Sequence, residues 1–284
     1  MAIASMPWYD LPEVRQYTDD LWQAVARQLR ADGVNYVPDV LERDLHHSEQ
    51  WIHPSLMFTQ ACGYDIALDA GRFLKAIAAP CFLMPGCSAH YYSSNVVVRE
   101  SSDAQELADL RGLRAVINNV SSHSGTNSFR AMIAPLSREG RFFGAVAESG
   151  AHVTSIEMLH NGQADVACID CVTWGLLKLH RPAFLQGLRV LAQTPLAPAP
   201  PYVTSVRYGR VFSRKLQNAL VRVMSNPDTT QTRASLGIGG VALLDNGVYQ
   251  RILDFEAVAA EHGYFELPAP ETSVLNRLRM RAST

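Results

Sequence analysis

The run Val116-Ile-Asn-Asn-Val-Ser-Ser-His-Ser-Gly-Thr-Asn-Ser-Phe-Arg130 carries the densest set of groups able to hold a small ligand. It reads as a strand, a loop of small polar residues and the start of a helix. The first N–H groups of a helix lack internal acceptors, and the aligned peptide dipoles leave partial positive charge there. Hydroxyls on Ser121, Ser122, Ser124 and Thr126 add donors, and Gly125 lets a ligand approach the backbone closely. Such a constellation would cradle an oxyanion. It lacks the lysine of a Walker loop, so nucleoside triphosphate chemistry is not indicated. The same pattern also fits an ordinary loop in which a serine caps the helix.

Three other positions bear on the same chemistry. His152 stands just before an amphipathic segment, where its ring could donate to an anion. Asp170 ends the apolar run Val166-Ala-Cys-Ile-Asp170, and ligands of open α/β sheets bind beyond the carboxyl ends of strands. Its plainer role would be to cap the following helix. Tyr91 and Tyr92, ahead of another apolar run, could supply phenol donors and a cavity wall, or simply pack.

Other patterns are weaker. Cys168-x-x-Cys171 lacks a second cysteine pair for structural zinc, and its first cysteine lies inside an apolar strand. Gly237-Ile-Gly-Gly-Val-Ala242 fits a dinucleotide fingerprint formally, but no apolar strand precedes it. There is no G-x-S-x-G elbow, and no nucleophile–base pair is evident, so binding without turnover is expected. No cofactor or metal is expected either.

The elements that would position these residues alternate in type. A helix is expected over Asp10 to Gly33, with Asp10 as cap and Val14, Tyr17, Leu21, Val25 and Leu29 on its buried face. Strands are expected at Asn95–Arg99, Ala115–Asn118, Val166–Asp170 and Leu188–Ala192. Helices are expected at Ser102–Leu110, Asn127–Leu136, Ser155–Asn161, Val172–His180, Val211–Met224 and Tyr249–His262. This rhythm predicts an α/β architecture with mostly parallel sheets. Thr194-Pro-Leu-Ala-Pro-Ala-Pro-Pro201 interrupts it, and reads either as a crossing between lobes or as a surface loop.

Composition narrows the class. The chain has 284 residues, 48% of them hydrophobic, and a net charge of −2. It can fill sizeable cores, and nothing in its charge suggests nucleic acid as partner. No apolar stretch approaches the roughly 18 residues of a membrane helix; the longest, Ile77 to Met84, contains Pro80 and is followed by Pro85. Met1 to Asp10 has no charged and apolar signal pattern, and five cysteines are an odd number. Both point to reduced thiols and the cytoplasm, or to the periplasm if a leader has been removed.

Taken together, Tyr91-Tyr-Ser-Ser-Asn-Val-Val-Val-Arg99, Leu110-Arg-Gly-Leu-Arg-Ala-Val-Ile-Asn118, Ser122-His-Ser-Gly125, Gly150-Ala-His152 and Gly162-Gln-Ala-Asp-Val-Ala-Cys-Ile-Asp170 with Trp174 resemble a known family. It is that of the phosphate, phosphite and phosphonate substrate-binding proteins of ABC transporters, which have the two-lobed type II periplasmic-binding-protein fold. The resemblance runs from about Gln60 to Thr204 and more loosely to about Gly263. It implies lobes at 1–98 plus 202–284 and at 99–201, with the ligand in the cleft between them. It places the anion loop on Ser122, His123, Ser124 and Gly125, with Thr126 following, the ligand histidine on His152, and cavity tyrosines on Tyr92 and Tyr64. Asp170 holds a polar pocket position. His123 departs from the hydroxyl residue usual there, and the proline crossing carries no acid of the kind aminophosphonate binders use.

The function implied is reversible capture of a small phosphorus oxyanion by a monomer, with an ABC permease as partner and hinge closure bringing Tyr92 onto the anion. Two alternatives are a cytoplasmic sensor of the same fold and an enzyme resembling the thiamine pyrimidine synthases, although that family's cysteine-rich signature is missing.

Overall fold

The computed structural model describes residues 2–267. In chain order its strands are β1 (Ile3–Ala4), β2 (Leu56–Gln60), β3 (Leu74–Phe82), β4 (Tyr91–Tyr92), β5 (Ser94–Arg99) and β6 (Arg114–Ile117). They continue with β7 (Ala145–Glu148), β8 (Val166–Asp170), β9 (Leu188–Gln193), β10 (Ala197–Pro198), β11 (Tyr202–Ser205) and β12 (Ile238–Ala242). The α-helices are α1 (Arg15–Ala31), α2 (His47–Ile52), α3 (Gly63–Ala67), α4 (Ser128–Ile133) and α5 (His152–His160). They end with α6 (Cys171–His180), α7 (Arg210–Ser225), α8 (Thr230–Ser235) and α9 (Leu253–Glu261).

The chain divides into two compact units. Unit 1 holds the chain up to Ser93, then Cys171–Phe184 and Leu196–Asp254. Unit 2 holds Ser94–Asp170, Leu185–Pro195 and the described residues from Phe255 onward. These limits differ from the expected 1–98 plus 202–284 and 99–201 by a few residues at 94–98 and 196–201, and by two larger segments, each with a physical cause. Helix α6 packs within unit 1: Gly175 lies against Met84, His180 Nε2 meets the Ser235 carbonyl at 2.7 Å, and Arg181 pairs with Glu13 at 2.5 Å. From Phe255 the chain joins unit 2, where Phe255 packs on His123, Glu256 approaches Arg130 and Tyr264 enters the core.

Unit 1 has a sheet in the order β1-β2-β11-β3-β12. Only β1 and β2 are parallel; β11 runs antiparallel to β2 and β3, and β12 antiparallel to β3. Trp22 of α1 stacks on Phe58 of β2 at 5.2 Å, and Phe58 packs on Tyr202 of β11 at 5.3 Å. Truncating a buried aromatic of this kind to alanine costs about 3–5 kcal/mol, so this stack anchors the helix on the sheet. The expected helix at Asp10 starts later, after a short 3₁₀ turn, and Asp10 does not cap it. Its carboxylate instead accepts from Thr18 Oγ1 at 2.6 Å and Arg43 Nε at 2.8 Å.

Strand β3 contains Pro80, a residue that argues against a central strand because it lacks an N–H. The strand tolerates it by changing neighbours: residues 74–78 pair with β11, and residues 79–82 with β12. Pro80 therefore has a partner strand on one side only. The proline-rich run holds just the two-residue β10, which pairs with β4.

Unit 2 has a sheet in the order β7-β6-β8-β5-β9. Strands β7, β6 and β8 are mutually parallel, whereas β5 is antiparallel to both β8 and β9. Both sheets are thus mixed, and the expectation of mostly parallel sheets is corrected. Doubly buried strands read as continuous apolar runs whichever way they point, so the pattern in Val96–Val98 could not carry direction. Val96, Leu110, Ile117, Phe129, Phe143, Val166 and Tyr264 fill the core between sheet and helices. Among the expected helices, Ser102–Leu110 reduces to a 3₁₀ turn at Leu107–Leu110, and α5 begins at His152, ahead of the expected Ser155.

Asp165, one residue before β8, ties unit 2 together. It accepts from Arg114 Nη2 at 2.8 Å and Arg99 Nη2 at 2.9 Å, while Arg99 Nη1 also donates to the Leu159 and Ala164 carbonyls. The Arg114 guanidinium, and then Arg99, hold the Asp165 carboxyl well below the usual aspartate range against the opposing effect of burial. A carboxylate whose pKa falls on folding adds stability above its unfolded pKa and loses it as pH falls through the folded one. Replacing Asp165 with Asn should therefore cost about 1–3 kcal/mol at pH 7. Urea titrations should show the gap between variant and wild type closing below about pH 4. A gap independent of pH would show that shape rather than charge holds this corner.

Candidate functional site

Strands β6, β7 and β8 are parallel neighbours, so their carboxyl ends lie on one edge of the sheet. The loop after β6 carries Ser122–Thr126, the loop after β7 leads into His152, and β8 ends at Asp170. Topology alone thus gathers three segments that the sequence spreads over about fifty residues.

The loop after β6 enters its helix through a π-turn, His123–Asn127. The Asn127 N–H reaches back to the Ser122 carbonyl at 3.0 Å, and the Ser128 N–H to that of His123. Ser122 is extended and caps the turn, its Oγ accepting from the Gly125 N–H at 3.1 Å. Turns of this width are uncommon and cluster at functional sites.

Ser124 is held from two directions. Its carbonyl accepts from Ser128 Oγ at 3.0 Å and from Cys168 Sγ at 3.2 Å. Its hydroxyl lies 3.0 Å from His152 Nε2 and 3.4 Å from Ser122 Oγ. Two hydroxyls and an imidazole thus form one chain across the opening of the turn. His152 is placed by the loop ahead of α5, where the Ser149 N–H bonds the Ile117 carbonyl and the Gly150 N–H the Asn118 carbonyl. Gly150 has φ +86°, which a side chain would strain.

Burial lowers the His152 pKa to about 4, partly offset by the Cys168 carbonyl nearby. The ring is therefore neutral at pH 7, with one N–H to give. Its Nδ1 is buried with no hydrogen-bond partner among the described residues. The same holds for Asn118 Oδ1, immediately beyond β6. That amide explains Gly125: a Cβ there would lie 1.8 Å from Asn118 Oδ1 and 3.2 Å from His152 Cε1.

The remaining expected residues divide clearly. Thr126 stays in the turn, but its Oγ1 donates to the Asn119 carbonyl at 2.6 Å and so serves the loop itself. The His123 ring turns into the core of unit 2, edge-on to Phe255 at 4.8 Å, with Nδ1 3.3 Å from Asn127 Nδ2. Burial brings its pKa to about 3, which keeps it neutral. Asp170 is buried at the end of β8, on the same face as Cys168 two residues earlier. Tyr64 in α3 and Tyr92 in β4 are buried in unit 1.

Two residues of the site escaped the sequence reading. Cys168 looked like half of a weak CxxC pattern, yet its thiol, pushed up to about 12 chiefly by burial, stays protonated and donates to the loop. Its alternation with Asp170 along β8 was the available signal. Asn118 had none beyond its place at a strand end. No group of three metal-ligating side chains occurs among the described residues. No helix there is long and apolar enough to cross a membrane.

Comparisons with known proteins bear on this geometry. The model of a family described as the periplasmic phosphonate substrate-binding protein of ABC transporters matches residues 69–249, more than half of the chain. No curated protein matches. Among solved structures, a binding-protein component of a phosphonate ABC transporter from Pseudomonas aeruginosa is similar with a TM-score of 0.73 and 14% identity, over 99% of this chain and 94% of its own. PhnD1 from Prochlorococcus marinus, solved with methylphosphonate, gives 0.70 at 15% identity, over 90% and 97%. A Xanthomonas citri protein solved with chloride gives 0.67 at 15%, over 92% and 98%. At such identities the structural likeness establishes the fold. The sensor and the pyrimidine-synthase alternatives are not favoured by these findings. The chain belongs to the family of substrate-binding proteins of phosphonate ABC transporters, and its role is to bind a solute.

Proposed function

We propose that unit 2 captures a small phosphorus oxyanion of the phosphonate class at the opening of the π-turn and supplies it to an ABC permease. The observation that carries this reading is the Ser122–Ser124–His152 chain, in which Ser124 Oγ lies 3.0 Å from His152 Nε2. If the neutral ring donates through Nε2 to Ser124, the Ser124 proton is released toward a ligand oxygen, and Ser122 can do likewise. The N–H groups of the turn add positive potential behind them. The grip is made of neutral dipoles around an anion, and the bonds are charge-assisted on the ligand side alone. Asp170 would disfavour a full dianion and accept from a P–OH group, so the reading favours a singly protonated ligand. His123 and Thr126 contribute backbone, since their side chains are engaged elsewhere. Tyr64 and Tyr92 enter the ligand set on the family pattern alone. A monomeric protein is part of the same reading, and so is a periplasmic location, which the family's description supports.

A thermal-shift panel of inorganic phosphate, phosphite, methylphosphonate and a phosphate monoester tests it. At a hundred times its Kd a true ligand stabilises by about 2.7 kcal/mol, a plain rise in Tm. If none of the four moves the transition, the assignment fails. With methylphosphonate or the best hit, Ser124→Ala and His152→Ala should each weaken binding about 10–100-fold by calorimetry, the worth of one charge-assisted bond. Wild-type affinity in both variants would place the anion elsewhere.

Gly125→Ala probes the turn itself. Its methyl must displace the buried Asn118 amide, a crowding that costs about 1–3 kcal/mol of stability. Affinity should fall along with Tm, and Gly125→Ala combined with Asn118→Ala should recover much of the lost stability. A single variant as stable as wild type would show that Asn118 yields freely.

A further inference from the structure

Cys87 and Cys171 are separated by 84 residues in sequence, yet their sulfur atoms lie 3.4 Å apart. Both belong to unit 1, and both are held by backbone bonds. The Cys87 N–H donates to the Met84 carbonyl at 3.0 Å, and the Cys171 N–H to the Ser93 carbonyl at 3.1 Å. Ser93 in turn donates from Oγ to the Gly86 carbonyl at 3.0 Å, closing the 86–93 turn on itself. Farther along α6, Gly175 packs against Met84 so closely that a Cβ would lie 2.6 Å from its sulfur. The turn and the helix start are thus locked side by side by contacts unrelated to the thiols. A bond between the sulfurs would need them to close from 3.4 Å to about 2.05 Å.

The two thiols also differ in access, Cys87 being half-buried and Cys171 fully buried. We propose that Cys87 and Cys171 form a reversible, stabilising disulfide, with Cys87 as the thiol that meets the oxidant and Cys171 as the one that resolves it. With hydrogen peroxide, the Cys87 sulfur attacks one peroxide oxygen and the O–O bond breaks, giving a sulfenic acid and water. The Cys171 thiol then displaces the sulfenic oxygen as a second water, forming the S–S bond. Two thiols lose two electrons and two protons, and one peroxide is reduced to two waters. A small-molecule disulfide can do the same by two exchange steps, releasing two thiols. The remaining cysteines are placed differently: Cys168 donates to the Ser124 carbonyl, Cys62 is buried, and Cys81 lies within β3. Cys171 is the residue at which the chain passes from unit 2 into unit 1, directly after Asp170. The bond would fix this crossing to the turn that precedes the one at Ser93.

The test uses the full chain, reduced and then exposed to hydrogen peroxide or to oxidised glutathione. Unfolding in the presence of an alkylating agent, followed by non-reducing digestion and mass spectrometry, should find the Cys87 and Cys171 peptides joined, two hydrogens lighter than their sum. Dithiothreitol should separate them. Closing a loop of this length restricts the unfolded chain, so Tm should rise on oxidation and return on reduction. Cys87→Ser should abolish the linkage and leave Cys171 fully alkylated. A Cys87 sulfenic acid or glutathione adduct beside an alkylated Cys171 in the wild type would overturn the proposal, as would an oxidised form that melts no higher than the reduced one. Neither result depends on which anion the protein binds.

Discussion

The carbonyl of Ser124 accepts two hydrogen bonds, one from the helix that follows it and one from the strand beneath it. A site that holds an anion with neutral groups relies on this kind of fixation. Water already offers an anion freely rotating dipoles, and a protein competes only if its own dipoles are oriented before the ligand arrives. Ser128 and Cys168 orient the backbone of the turn, Ser122 closes its first loop, and His152 orients the Ser124 hydroxyl. Cys168 can serve because burial keeps its thiol protonated. A thiolate there would face the Ser124 carbonyl as a second acceptor and loosen the turn it now holds.

The two histidines show how position decides role. Both are held neutral by burial. One packs on Phe255 and bonds within its own turn, while the other reaches a hydroxyl at the turn's mouth. In sequence His152 was read as a ring donor, and His123, nearer the glycine, as a departure from the hydroxyl residue usual in the anion loop. In the helix its side chain falls on the face turned to the core, where an imidazole fills the volume of a small aromatic. The hydroxyl residues divide the same way, Thr126 securing the loop and Ser124 facing the opening.

The sequence made the cradle legible because its chemistry is local. Small hydroxyl residues, a glycine and a helix start are contiguous, and a strand-ending aspartate needs no partner to be noticed. What stayed hidden was nonlocal. Cys168 lies 44 residues from the carbonyl it touches. Asn118 explains Gly125 only once the turn is folded over it. Strand β3 was obscured by Pro80, which is tolerated because the strand trades one neighbour for another at that point. The π-turn was invisible too, since its spacing differs from an α-turn by a single residue in the backbone ladder. The expectation of parallel sheets failed for the same reason: apolar runs report burial and not direction.

That failure bears on how the site is built. The parallel trio β7-β6-β8 sets three loops on one edge of unit 2, whereas β5 and β9 are the strands by which the chain enters and leaves. Because β5 is antiparallel to β8, its first residue, Ser94, lies opposite Asp170, the last of β8. Strand β9 is antiparallel to β5, so it ends at Gln193 opposite Asn95, and the next residue, Thr194, bonds to Ser94 through both backbone and side chain. The chain crosses between units after Ser93, after Asp170 and after Pro195, and further crossings follow Phe184 and Asp254. The crossings after Ser93, Asp170 and Pro195 therefore lie at the edge of the unit 2 sheet that carries the candidate site, whereas the one after Phe184 leads to the opposite end of β9. A wholly parallel sheet would start β5 at the opposite edge and separate entry from exit by the length of a strand. The mixed topology instead keeps these three crossings on the same edge of unit 2 as the loop that carries Ser122–Thr126.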